Sequence, residues 1–188
     1  MFQQPQFDPK KILNNKNLIT VSDTKSHETT FTQILENAKK NNKPVVITAT
    51  SGPFAKSDVL PAGWTDKPKL VGCTAQLEKL NAMSDVEVYA LNIHPSDYQI
   101  QLLSDKGFTH MKMISIDEEM QDILGLDTIN HIDKAYLSRF SLVVRPDGSW
   151  QKFEVPTIEG GKVNAETAVQ HVSEIQNYIN PRPTAGPK

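Results

Sequence analysis

Val45-Val46-Ile47-Thr48-Ala49 is followed by a long Pro-, Gly-, Lys- and Asp-rich stretch and then by Val71-Gly72-Cys73-Thr74-Ala75-Gln76. The first run is β-branched and has strand character; behind the second, Leu77, Leu80 and Met83 recur at helical spacing. Val86-Glu87-Val88-Tyr89-Ala90-Leu91-Asn92-Ile93 then alternates as a strand. The order is strand, loop, helix, strand, and Cys73 falls at or just before the N-terminus of the helix. Between Thr50 and Val71 neither period persists, and Phe54 and Trp64 are the only aromatics, so this is a long loop of the kind that often carries function.

Upstream, Phe31, Ile34, Leu35 and Ala38 have helical spacing from Thr30, and Asn41-Asn42-Lys43-Pro44 ends that helix. The first 27 residues are polar apart from Leu18-Ile19-Thr20-Val21, a candidate edge strand. Downstream, His94-Pro95-Ser96-Asp97 offers an N-cap to a helix with Ile100, Leu102 and Leu103, which Gly107 ends. A strand is predicted from Met111 to Ile116. Asp117 caps a short helix with Met120, Ile123 and Leu124 that stops near Gly125, and Leu126-Asp127-Thr128 reads as a connection. Strands over Leu137–Val144 and Trp150–Val155 flank the turn Arg145-Pro146-Asp147-Gly148. Asn164 is the expected N-cap of a last helix with Ala168, Val169, Val172, Ile175 and Ile179 on one stripe, ended by Pro181. Early strands alternate with helices, and a hairpin precedes a closing helix. That order predicts an α/β, thioredoxin-like fold: a central mixed sheet flanked by helices, with a C-terminal hairpin and closing helix.

At 188 residues the chain suits one core, expected over residues 28–180, after an N-terminal extension over 1–27 and before a flexible tail over 181–188. Twenty Lys and Arg against 22 Asp and Glu leave a net charge of −2, without the basic footprint that a nucleic acid requires. No apolar run has membrane-spanning length and the first residues are polar, so a soluble, cytoplasmic protein is expected. One cysteine excludes an internal disulfide or a multi-thiolate zinc site, leaving a buried structural thiol or a reactive one. His27, His94, His110, His131 and His171 are scattered without metal-ligand spacing, so neither a metal nor another cofactor is expected. At the start of a helix, unpaired N–H groups and the macrodipole favour an anion, which lowers a thiol pKa.

Gly72-Cys73-Thr74-Ala75-Gln76 resembles the Gly-Cys-Thr-x-Gln signature of peroxiredoxins of the bacterioferritin-comigratory type and of a nearby redoxin subgroup. Leu60-Pro61-Ala62-Gly63-Trp64 and Pro68 lead to it as in that subgroup. The resemblance continues through Val88–Asn92, Ile114–Leu126 and Leu137–Gly148, covering about residues 30 to 155. It implies a thioredoxin fold and a catalytic pair, Cys73 as nucleophile and Arg139 on the strand before the hairpin as the cation that faces the sulfur. Thr74, Gln76 and Trp64 are the candidate substrate-binding residues. Each has a plainer reading: Thr74 as a helix cap, Gln76 as a solvated position, Trp64 as packing over the core edge.

The sequence also departs from the family's Pro-x-x-x-Thr-x-x-Cys loop. Leu70 stands at the threonine position and Asp66 at the proline position, while Pro61 and Thr65 match the first half too far upstream. Glu78 occupies the place of the second cysteine of many relatives. The resemblance therefore implies a one-cysteine thiol peroxidase that reduces hydrogen peroxide or organic hydroperoxides. Its reductant would be external: thioredoxin, glutaredoxin or a low-molecular-weight thiol. Related proteins often form dimers, so a homodimer is among the expected partners. The alternative is a catalytically inactive thioredoxin-fold module for binding or redox sensing.

Overall fold

A computed structural model describes residues 7–50, 71–131, 134–154 and 165–181. In chain order they form α1 (Lys10–Leu13), β1 (Ile19–Ser22), β2 (Ser26–Thr29), α2 (Phe31–Lys40), β3 (Val45–Ala49), α3 (Val71–Asn81), β4 (Glu87–Asn92), α4 (Ser96–Lys106), β5 (Lys112–Ser115), α5 (Glu118–Leu124), β6 (Thr128–His131), β7 (Lys134–Leu137), β8 (Phe140–Val144), β9 (Trp150–Glu154) and α6 (Ala165–Ile179).

Seven strands make one sheet in the order β2-β1-β5-β4-β3-β8-β9, and β6 and β7 form a separate hairpin. β3, β4 and β5 run parallel, joined through α3 and α4, whereas β8 is antiparallel to β3 and β1 to β5. β3 and β8 are buried along their whole length, which explains why both read as continuous apolar runs. Alternate residues feed opposite layers. Val45, Ile47 and Ala49 join Phe31, Ile34, Ile12 and Leu124 on one face; Val46 and Val143 join Leu77, Leu80, Leu102, Val172 and Ile175 on the other. The result is a mixed sheet between helices α1, α2 and α5 on one side and α3, α4 and α6 on the other.

Asp117 caps α5 as expected, its Oδ1 accepting from the Met120 N–H at 2.8 Å. Thr30, from which the helical spacing of α2 runs, caps that helix in the same way: its Oγ1 accepts from the Gln33 N–H at 3.0 Å. Gly107 and Gly125 close α4 and α5 in the left-handed region, at φ 67° and 63°. The start of α4 differs: its N-cap is Pro95, with no side-chain cap bond. The strand around Val21 is one place in from the edge, which β2 occupies. Its neighbour Ser26-His27-Glu28-Thr29 is entirely polar, so no alternation announced it.

The connection expected after Leu126 is instead the β6–β7 hairpin. Leu137 ends β7, and the sheet strand begins only at Phe140. The Ser138 N–H donates to Asp127 O at 2.9 Å and turns the chain there. The last hairpin is as read, with Val144 opposite Trp150 and Gly148 at φ 90°. On α6 Val169 is exposed, and His171 takes its place in the buried stripe with Ala168, Val172 and Ile175. At 100° per residue position 169 lies well off a stripe centred on 168, 172 and 175, whereas 171 lies within it. Asn164 lies outside the described residues.

Candidate active site

Cys73 is the third residue of α3, inside the first turn, where backbone N–H groups lack intrahelical acceptors. α3 begins beyond the C-terminal end of β3 and packs on the face where Val46 and Val143 lie. Thr74 is the next residue of the same turn. The side chains of Cys73 and Thr74, and the whole of Trp64, Thr65, Asp66 and Leu70, lie outside the described residues.

Arg139 immediately precedes β8, on the sheet face that Ser141 and Val143 continue, since alternate residues share a face. It is only 5% exposed. A guanidinium stripped of water has to recover its hydration as hydrogen bonds. Its Nη2 donates to Oε1 of Gln76, three positions after Cys73 on α3. The bond therefore ties the cation to the first turns of α3, the part of the helix in which Cys73 stands.

Gln76 is fully buried, not solvated, and both ends of its amide are used. While Oε1 takes the guanidinium, Nε2 donates to Oγ1 of Thr48 at 2.6 Å. Thr48 and Ser141 stand opposite each other in the β3–β8 ladder, and the Ser141 hydroxyl donates to Thr48 at 2.9 Å. Ser141 Oγ also meets Nε2 of His171 at 2.7 Å. A polar chain, Arg139–Gln76–Thr48–Ser141–His171, therefore runs between sheet, α3 and α6 beside the apolar cluster of Leu77, Val143 and Val172.

His171 is buried, and burial, reinforced by the positive charge of Arg139, pulls its pKa from the ordinary 6.5 down to about 4. It is neutral at physiological pH. Thr50, one residue past β3, is a further buried hydroxyl whose Oγ1 has no hydrogen-bond partner among the described residues.

Of the residues in this polar chain, the sequence reading names Arg139 and Gln76 as candidates, counts His171 only among histidines without metal-ligand spacing, and does not single out Thr48 or Ser141. The available signal was small: a hydroxyl residue inside each of two strands apolar enough to be wholly buried, and a histidine in phase with the apolar stripe of the last helix. Among the described residues no group of three or more His, Cys, Asp or Glu is placed to hold a metal ion. No helix among them is long and apolar enough to cross a membrane.

No family model and no curated protein matches this sequence. Solved structures do match it. Reduced Prx3 of Vibrio vulnificus in complex with H2O2 aligns over 92% of this chain and 97% of its own, at 17% identity and a TM-score of 0.51. A cysteine-to-serine mutant of Xylella fastidiosa PrxQ aligns over 95% and 99%, at 12% identity and a TM-score of 0.55. The bacterioferritin comigratory protein of Xanthomonas campestris, described in work on alkyl peroxide reduction, aligns over 92% and 96%, at 13% identity and a TM-score of 0.53. Taken with the strand order and the helices on both faces, these likenesses establish that the chain has the thioredoxin-like fold of the peroxiredoxins.

Proposed function

We propose that this protein is a one-cysteine thiol peroxidase acting through Cys73. The observation that carries the reading is Arg139, a buried cation bonded through Gln76 to the helix whose first turn holds the cysteine. A thiolate there has two sources of stabilisation, the N–H groups of the helix start and the guanidinium. In the reaction the Cys73 thiolate attacks the distal oxygen of hydrogen peroxide or an organic hydroperoxide. The O–O bond breaks, and the leaving hydroxide or alkoxide takes a proton to become water or an alcohol. Cys73 is then a sulfenic acid.

Arg139 donates to the peroxide oxygens and offsets the charge that builds on them. Thr74 and Trp64 are the candidate contacts for the rest of the substrate, and Gln76 acts through Arg139. With one cysteine in the chain, recovery requires two equivalents of an outside thiol. The first condenses with the sulfenic acid, releasing water and leaving a mixed disulfide; the second displaces Cys73 as the free thiol. Thioredoxin, glutaredoxin or a small cytoplasmic thiol can serve.

Purified protein supplied with dithiothreitol should consume hydrogen peroxide in repeated turnovers, and Cys73→Ser should not. Equal rates from the two proteins would end the proposal and leave the fold with a binding role.

A further inference from the structure

The far end of the polar chain has a direction that hydrogen-bond counting fixes. Arg139 has only donors, so the Gln76 amide must face it with Oε1, and Nε2 must find an acceptor elsewhere. That acceptor is Thr48 Oγ1 at 2.6 Å, which also accepts from Ser141 at 2.9 Å and points its own proton toward Phe140 O at 3.5 Å. Ser141 has one proton and gives it to Thr48. At its 2.7 Å contact with His171, Ser141 therefore accepts and Nε2 of the imidazole donates.

His171 accordingly carries its proton on Nε2, and Nδ1, buried without a hydrogen-bond partner among the described residues, is a bare lone pair. The opposite tautomer would bury an unpaired N–H and turn the serine proton toward the ring. The Thr48 proton would then leave Phe140 O for Ser141, and the buried N–H without an acceptor makes that the costlier arrangement.

We propose that His171 is a positioning residue for the Cys73 site: through Ser141 and Thr48 it fixes the Gln76 amide, and the amide fixes where Arg139 is held against α3. The inference rests on the peroxidase reading for its consequence but on geometry for its content. The surrounding charges fit a neutral ring. Arg139 opposes a second cation at His171; Glu78 and Lys79 on α3 and Glu174 on α6 are exposed, and Lys152 on β9 pairs with Glu154 at 2.8 Å. Cys73 is the remaining titratable group on α3.

The test compares the wild type with His171→Leu, His171→Gln and Thr48→Val, each first shown to unfold cooperatively. Two quantities are read: the Cys73 thiol pKa, from the pH dependence of alkylation by iodoacetamide, and the second-order rate with hydrogen peroxide. His171→Leu and Thr48→Val should each raise the thiol pKa by about one unit and lower the peroxide rate about tenfold. His171→Gln, which keeps an N–H donor for Ser141, should restore most of both. Thr48→Val preserves shape and interrupts the same chain, so it decides the matter should His171→Leu fail to fold.

A folded His171→Leu or Thr48→Val protein with the wild-type thiol pKa would overturn the inference, as would a ¹⁵N spectrum placing the His171 proton on Nδ1. A wild type inert toward peroxide, with the thiol pKa still moved by these variants, would sink the peroxidase reading and leave the positioning role standing.

Discussion

A guanidinium 5% exposed beside the amide of Gln76 holds its place by geometry as much as by charge. The planar fork of arginine aims several donors at once, and a lysine ammonium on its flexible stem does not reproduce that. Arg139→Lys, which keeps the charge, should therefore lower the rate of Cys73 oxidation by peroxide at least tenfold, measured by stopped-flow fluorescence. An unchanged rate would mean that charge alone matters. His171 makes a second claim, on stability. Its pKa is near 6.5 unfolded and about 4 folded, so between those values the unfolded chain binds a proton that the native one refuses. The contribution of His171 should be constant above pH 6.5 and be lost as pH drops from there through 4, by about 3 kcal/mol in all. Urea midpoints across that range should show the slope in the wild type and a shallower one in His171→Leu. At this scale the sequence is legible only where chemistry has a pattern. Cys73 and Arg139 sit in recognisable contexts; Thr48 and Ser141 look like ordinary strand residues until two strands are paired, and pairing is not written in either strand alone.

Helix ends and turns are the local features that sequence states most directly, because a cap depends on residues within one turn of it. Asp117 was readable as an N-cap and Thr30 as the point where a helix begins, and both side chains accept an N–H bond from the first turn that follows. Asp117→Ala should cost about 1 kcal/mol by releasing the Met120 N–H at the start of α5, read as a shift in the urea midpoint. A neutral outcome would mean that water replaces the carboxylate without loss. Gly125 closes the same helix at φ 63°, and a Cβ there would meet Lys11 Nζ at 2.9 Å, so the helix end and the lysine share one small space. The β6–β7 hairpin was not legible. Leu137 and Phe140 are both apolar, and nothing between them distinguishes a continuous strand from one that turns at Ser138, where the deciding contact comes from Asp127 on the chain before the hairpin. β2 was missed for a different reason: an edge strand with both faces wet needs no apolar alternation.

The sheet divides the molecule into two apolar layers, and the polar chain belongs to one of them. Arg139, Ser141 and Val143 point to the layer of α3 and α6; Phe140 and Leu142 point to the other, with α1, α2 and α5. The first 27 residues looked like an extension because their apolar positions are too sparse for any period. Yet Phe7, Ile12, Ile19 and Val21 are all buried in that second layer. Phe7 is 4% exposed, its ring lies tilted against Phe140 at 4.8 Å between ring centres, and its carbonyl accepts from Lys152 Nζ at 3.1 Å. Phe7→Ala should therefore cost roughly 3 to 5 kcal/mol, the range for a phenylalanine emptied from a core. The same substitution should leave the Cys73 thiol pKa where it is, because the ring and the Arg139 chain lie on opposite faces of β8. Urea unfolding and iodoacetamide titration of one variant read both quantities. A thiol pKa that rises with the loss of stability would mean that β8 transmits strain from one layer to the other, and that the Cys73 site depends on the N-terminal segment.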